Sequence, residues 1–264
     1  MEIVKINNEE VMFFGNPQGH FKSNNRIASK FNRVTKLAID YNQLYSKLIS
    51  FVKNDTKAKR KNLAYACLLM INSGIRVGNE SSAEGYTTKI KELEGQFVQT
   101  YGLTTLKHEH VTFENVVDVD DDLTVYDSFM YLDFIGKKSV KQSICIIDPF
   151  LIKWGKYFYD LNVGKETWLN ITNYEITKFV HKYIGSKFVP KDLRSLKANI
   201  EAFKIHKNIL ATKLMPSNKK EAKQEVKEIV EKTSEYLGNT PAICKKAYVD
   251  PKLLEYHLNM RYQK

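Results

Sequence analysis

From Arg26 to about Val52 apolar residues return at helical spacing, with Val34, Leu37, Ala38, Tyr41, Leu44, Tyr45 and Leu48 on one stripe. The basic run Lys57 to Lys61 leads into a strongly apolar segment, Asn62 to Ile71, which predicts a buried helix broken at Ser73-Gly74. A further helix begins near Glu80. The period then changes. Leu103 to Leu106, Val111 to Val119, Met130 to Ile135 and Val140 to Ile147 are β-rich, and Gly136 to Ser139 marks a tight turn with Lys137 at its tip. Asp120 to Asp122 is a loop within this sheet. It lacks the spaced ligands and terminal Glu of a calcium loop. After Pro149 the spacing predicts helices over 149–160, 173–185, 190–213 and 219–237. The last of these has Val226, Ile229, Val230, Thr233 and Leu237 on one face and a stop at Gly238. Thr240-Pro241 and Asp250-Pro251 each pair an N-cap with a first-turn proline, opening a short helix that ends near Tyr248 and then a final one. At the start of the chain, Gly15, Pro17 and Gly19 punctuate an expected strand pair, Val11 to Phe14 with His20 to Lys22. The expected fold class is mainly α (α+β), with a small antiparallel sheet inserted in one main domain.

Composition narrows the class without naming a function. In 264 residues, 43% are hydrophobic and 27% charged, the balance of a globular protein rather than a disordered or fibrous one. No apolar run approaches the ~18 residues needed to span a bilayer. The opening MEIVKINNEE lacks a basic-then-apolar signal, so an intracellular protein without a membrane partner is expected. Cys67, Cys145 and Cys244 lie far apart without C-x-x-C spacing. They suit buried small hydrophobes better than a disulfide or zinc framework. Charge is unevenly spread: the net is +11, residues 181–264 hold 18 basic and 9 acidic side chains, and residues 109–133 hold eight acids and no Lys or Arg. Such a basic face points to a polyanion, nucleic acid before membrane.

Candidate chemistry is scattered along the chain. Arg76 follows an apolar helix at a glycine break, and Lys137 stands on a hairpin tip. Arg194 lies in the first turns of a helix, and Asn239 sits in a helix-to-helix turn nine residues before Tyr248. Arginines can grip the non-bridging oxygens of a phosphodiester, an ammonium can deliver a proton, and an oriented phenol is a nucleophile toward phosphorus. Taken singly, each residue has an ordinary surface or core role. In company with their neighbours they form SGIRVGNE (73–80), YGLTTLKHEHV (101–111), FIGKKSV (134–140), KDLRS (191–195) and LGNTPAICKKAYVDP (237–251). In these segments and their order the chain resembles the type IB DNA topoisomerases, closest to the bacterial and poxvirus-like branch.

The resemblance implies a helical catalytic domain of the tyrosine-recombinase/type IB topoisomerase fold over 26–264. GNPQGHFKS within residues 1–25 would then be the remnant of an N-terminal DNA-clamp domain. It makes Tyr248 the nucleophile and Arg76, Lys137 and Arg194 the catalytic cations. Asn239 stands where poxvirus and eukaryotic enzymes have a phosphate-binding histidine, and Lys107, Lys191, Lys245 and Lys246 are expected to contact DNA. It also implies relaxation of supercoils through a 3′-phosphotyrosyl intermediate, by a monomer acting on double-stranded DNA with no cofactor, metal or ATP, in a bacterial cytoplasm or a viral factory or virion. Two alternatives stand beside it, a tyrosine recombinase or integrase and a non-enzymatic DNA-binding protein of the same fold. Recombinases typically carry H-x-x-R before the second arginine, and Lys191 occupies that histidine position here.

Overall fold

A computed structural model describes residues 1–19, 26–87, 95–120 and 123–262, with the backbone alone at 86–87, 116–120 and 123–127. The protein is mainly α with a small antiparallel sheet. It divides into two compact units, residues 1–46 with 185–264, and residues 47–184. Among the described residues no helix is long and apolar enough to cross a membrane.

The first unit opens with a hairpin of β1 (Glu2–Ile6) and β2 (Glu9–Phe13), registered Glu2 to Phe13 and Ile6 to Glu9. Its two-residue loop, Asn7-Asn8, has both φ angles positive, the conformation that a tight hairpin needs and asparagine tolerates. The expected partner for Val11 to Phe14 was His20 to Lys22, which lies outside the described residues. Within the described residues the strand pairs upstream with β1, because the Asn-Asn turn returns the chain at once. Gly15 then packs directly on α1 (Arg26–Ile39): a Cβ there would stand 2.2 Å from the Phe31 carbonyl oxygen. The single helical stripe from 26 to 52 is two helices, α1 and α2 (Tyr41–Asn54). Asp40 parts them, and its carbonyl accepts the first α2 bond from the Leu44 N–H at 2.8 Å, a position that favours aspartate.

α2 crosses the boundary into the second unit. There α3 (Ala58–Ser73) is buried at every position from Leu63 to Ile71, as its unbroken apolar run predicts, and Gly74 ends it with φ 66°. α4 (Glu80–Glu84) and a short pair, β3 (Tyr86–Thr87) with β4 (Phe97–Val98), follow. Leu103 to Leu106, expected as β, instead contains a 3-10 turn at Leu103–Thr105. Its amides are already engaged, Leu103 and Thr104 donating to the carbonyls of Arg76 and Val77 at 2.8 and 2.7 Å. The sheet has the order β5 (Val111–Asp120), β6 (Leu123–Gly136), β7 (Val140–Ile146). The expected Asp120 to Asp122 loop falls largely outside the described residues. Cys145 is exposed on β7, where alternation turns it outward; Cys67 and Cys244 are buried as expected. α5 (Pro149–Leu161), capped by Asp148, packs on α3 through Gly155, whose missing Cβ leaves room for the Tyr65 hydroxyl. Tyr65, Phe158 and Trp168 form the aromatic centre of this core. α6 (Asn173–Phe179) carries a Thr172–Glu175 capping box and continues as a π-helical turn, Val180–Ile184.

The chain then re-enters the first unit with α7 (Pro190–Thr212), α8 (Lys219–Tyr236), α9 (Pro241–Ala247) and α10 (Pro251–Arg261). Thr240 and Asp250 cap the last two helices as the sequence predicts. α7 is the central helix of the unit. Asp192 in its first turn accepts from the Val189 N–H at 3.0 Å and from Arg33 of α1 at 2.8 and 3.2 Å, fixing where the helix begins.

Candidate active site

Tyr248 caps the C-terminal end of α9, a short helix whose length is set at both ends, by Thr240 at its start and by Asp250-Pro251 just after Tyr248 and Val249. Its N–H donates to the Cys244 carbonyl at 2.9 Å. The loop beyond it is held from α7. Asn199, fully enclosed, donates to the Tyr248 carbonyl at 2.9 Å and to the Ser195 carbonyl at 2.7 Å, and accepts from the Asp250 N–H at 2.8 Å. The tyrosine is 6% exposed. Three cations surround its ring, with Arg194 Cζ at 5.0 Å, Lys191 Nζ at 5.1 Å and Lys30 Nζ at 5.2 Å from the centroid. At this range each is attracted by the face of the ring. Together they make a positive field that favours an entering phosphate.

Arg194 is buried on α7, and its Nη2 donates to the Leu237 carbonyl at 2.7 Å at the end of α8. Two residues on, Asn239 is half-buried in the α8–α9 turn. Gly238 at φ 57° reverses the chain there, and the Asn239 N–H donates to the Ser234 carbonyl at 2.8 Å. One arginine thereby braces the turn that presents the amide. Lys245 and Lys246 are exposed in the last turn of α9, and Lys191 is exposed in the first turn of α7. Lys30 also donates to the Ala247 carbonyl. Burial, reinforced by the nearby charge of Lys191, pulls its ammonium down to about 8.

The second unit carries the other candidates on one connected stretch of backbone. Arg76 leaves α3 through Gly74 and runs alongside residues 102–104. That contact requires glycine: a Cβ on Gly102 would stand 2.5 Å from the Gly78 Cα and 3.0 Å from the Arg76 carbonyl oxygen. The same loop is tied to β6, where the Tyr101 N–H donates to the Ile135 carbonyl at 2.7 Å, two residues before Lys137. Gly136 pairs with Val140, leaving Lys137, Lys138 and Ser139 as the hairpin loop. Lys138 and Ser139 adopt left-handed φ values of 65° and 58°, and Lys137 is exposed at the tip. Non-glycine residues held in this region gather at functional sites. Lys107 ends the loop, with its Nζ 5.8 Å from the Tyr101 ring centroid and its N–H donating to His110 Nδ1 at 3.0 Å. Burial lowers the His110 pKa, the Lys107 charge adding to the effect and Glu109 opposing it.

The first unit therefore gathers Tyr248, Arg194, Asn239 and Lys191, and the second gathers Arg76, Lys107 and Lys137. A family model described as the catalytic core of eukaryotic DNA topoisomerase I matches residues 19–263. The chain belongs to this topoisomerase family. The DNA topoisomerase 1B of Acanthamoeba polyphaga mimivirus is 25% identical over 182 residues, covering 64% of this chain and 50% of that relative. The chain thus spans about half the length of the curated relative it matches. The likeness to a viral 1B enzyme agrees with the poxvirus-like branch that the motifs suggest.

Two residues of the Tyr248 surroundings escape sequence reasoning. Lys30 belongs to α1, far from every motif, and only tertiary packing brings it to Ala247. Asn199 lies one turn beyond KDLRS in a helix interior, where an asparagine carries no signal unless the loop it holds is known.

Proposed function

We propose that the chain is a type IB DNA topoisomerase, relaxing double-stranded DNA by transient cleavage of one strand. The reading rests on the tyrosine that follows α9 as its C-cap, with three cations around its ring, in a chain of the topoisomerase I family. Tyr248 Oη attacks the phosphorus of a phosphodiester and loses its proton to solvent. The bond from phosphorus to O5′ breaks, leaving a 3′-phosphotyrosyl link and a 5′-hydroxyl. Lys137 supplies the proton to O5′ as general acid. Arg76 and Arg194 bind the non-bridging oxygens while negative charge builds on the pentacoordinate phosphorus, and the Asn239 amide adds a neutral donor. Lys107, Lys191, Lys245 and Lys246 contact flanking phosphates. The free strand swivels and the 5′-hydroxyl reverses the reaction. The energy of the broken bond is kept in the phosphotyrosine, so the cycle needs neither ATP nor a metal ion.

Tyr248→Phe removes only the attacking oxygen. The expected outcome is no plasmid relaxation in EDTA without ATP, and no covalent adduct on a suicide substrate, with non-covalent DNA affinity retained. An adduct in this variant at the wild-type yield would move the nucleophile to Tyr256 or Tyr262. Strand exchange by the wild type would make it a recombinase, and a wild type that binds DNA without ever forming an adduct would be a binding protein of the same fold.

A further inference from the structure

At the N-terminal end of α3, within the second unit, a cavity of about 350 Å³ opens on a face that the proposed cleavage chemistry does not use. Arg60 on its wall and Ser73 at the far end of α3 are separated by ~20 Å of helix at 1.5 Å per residue, so it lies well away from Arg76. Five cations line it, Lys57, Lys59, Arg60, Lys178 and Lys182, against one acid, Glu175. Two of the five are fixed in place. Lys59 donates to the Asn170 carbonyl at 2.6 Å and to Glu175 at 3.1 Å, while Arg60 is paired with Asp55. Lys57, Lys178 and Lys182 are exposed at the rim and leave the cavity with a positive excess.

The remaining wall is apolar, formed by Leu63, Phe179 and Tyr183. Tyr183 is half-buried, with Phe51 edge-on to its ring at 5.0 Å and Lys182 Nζ 5.3 Å from its centroid. Phe179 and Tyr183 pack with ring centroids 4.8 Å apart, and the Arg60 guanidinium lies 5.8 Å from the Tyr183 ring. Arg60 Nη1 donates to the Tyr183 hydroxyl oxygen at 3.1 Å, so the hydroxyl proton remains available to an acceptor in the cavity. Lys182 and Tyr183 come from the π-helical turn, a departure from α geometry that recurs at functional sites. An inorganic anion would leave the aromatic wall bare, and a purely apolar ligand would strip water from several lysines without replacing it. A single base stacked on an aromatic side chain, with its phosphate among cations, satisfies both halves of the site. The volume is at the small end for ligand pockets, which suits one nucleotide and excludes a duplex.

We propose that this cavity binds a nucleoside phosphate, with the phosphate among Lys57, Lys178 and Lys182 and the base against Tyr183 and Leu63. The ligand is either a free nucleotide or one residue of a single strand. The proposal stands apart from the type IB reading and does not need it to be right.

Calorimetric titration of the full chain with dAMP, adenosine and inorganic phosphate tests it. dAMP should bind at least about tenfold more tightly than either part alone, as expected when stacking and charge act together. The exposed pair Lys178→Glu/Lys182→Glu should weaken dAMP at least about tenfold by turning attraction into repulsion. Tyr183→Leu should weaken dAMP but leave phosphate unchanged, and Lys245→Gln/Lys246→Gln should leave dAMP affinity as it is. In ¹⁵N-labelled protein the shifted amides should centre on Lys182 and Tyr183. A 5′-phosphorylated single-stranded trinucleotide binding much more tightly than dAMP identifies a strand as the source, and equal affinity identifies the free nucleotide. Undiminished dAMP binding in Lys178→Glu/Lys182→Glu, phosphate binding as tightly as dAMP, or no dAMP binding at millimolar concentration would each overturn the proposal.

Discussion

Beside Tyr248, burial and charge are in direct conflict at Lys30. Its ammonium is pulled down to about 8 because the fold removes it from water and sets Lys191 nearby, while in the unfolded chain it titrates near the ordinary lysine value. Between those two values the unfolded chain binds more protons than the folded one, so stability rises with pH across that window. Lys30→Met should remove this rise. Urea midpoints measured from pH 7 to 10 should climb more steeply for the wild type than for the variant, by up to about 3 kcal/mol of unfolding free energy. Parallel curves would place Lys30 in water. Lys137 presents the opposite case, an exposed ammonium carried on a backbone of unusual shape, with Lys138 and Ser139 both left-handed behind it. If it is the general acid, Lys137→Ala should slow cleavage of an ordinary 5′-oxygen bond by ~10²–10⁴-fold. A 5′-thiolate leaves without needing a proton, so the defect should largely vanish on a 5′-bridging phosphorothiolate. An equal defect on both substrates would remove Lys137 from that role.

Between elements, the decisive link to the tyrosine loop is Asn199 of α7. Asn199→Ala would leave the Asp250 N–H and the Tyr248 carbonyl buried without this partner. The expected cost is about 2–4 kcal/mol in chemical unfolding, with cleavage falling more than DNA affinity. Unchanged stability would mean that the loop is held by its own caps. Those caps were legible in the sequence: Thr240-Pro241 and Asp250-Pro251 mark both helix starts, and Gly238 and Gly74 mark both stops, because each signal is local. The three sheet strands and the long helices were legible for the same reason. What stayed hidden depends on partners distant in sequence. The 3-10 turn at Leu103 forms because its amides reach Arg76 and Val77, and the break at Asp40 divides an apolar stripe that runs on unchanged through both helices. The candidate residues were legible through their motifs, whereas Lys30 and Asn199 reach Tyr248 only through the packing of α1 and α7.

Across the whole molecule, an excess of +11 does not translate evenly into affinity for a polyanion. Part of the positive charge in the C-terminal third is already matched: Lys197 pairs with Glu201, Lys227 with Glu231, and Lys213 and Lys232 both with Glu228. Lys197 and Glu201 are largely buried, and the other pairs are more exposed and weak, but each lysine held by a carboxylate has less to gain from a phosphate. α9 contains no acid, and Lys245 and Lys246 project from its last turn beside the tyrosine. If these two contact DNA phosphates, Lys245→Gln/Lys246→Gln should lower the slope of log affinity against log salt by about 1.8, since each lost contact releases ~0.9 fewer counterions. The loss should be the same for unrelated duplex sequences, because phosphate contacts position without reading bases. Lys227→Gln/Lys232→Gln removes the same formal charge from α8 and should change the slope much less. Fluorescence anisotropy on a short duplex over a range of salt, with the tyrosine blocked as Tyr248→Phe in every variant, measures non-covalent binding alone. Equal slopes for the two double variants would mean that the protein's net charge governs binding, and that the bases beside Tyr248 hold no special position on the DNA.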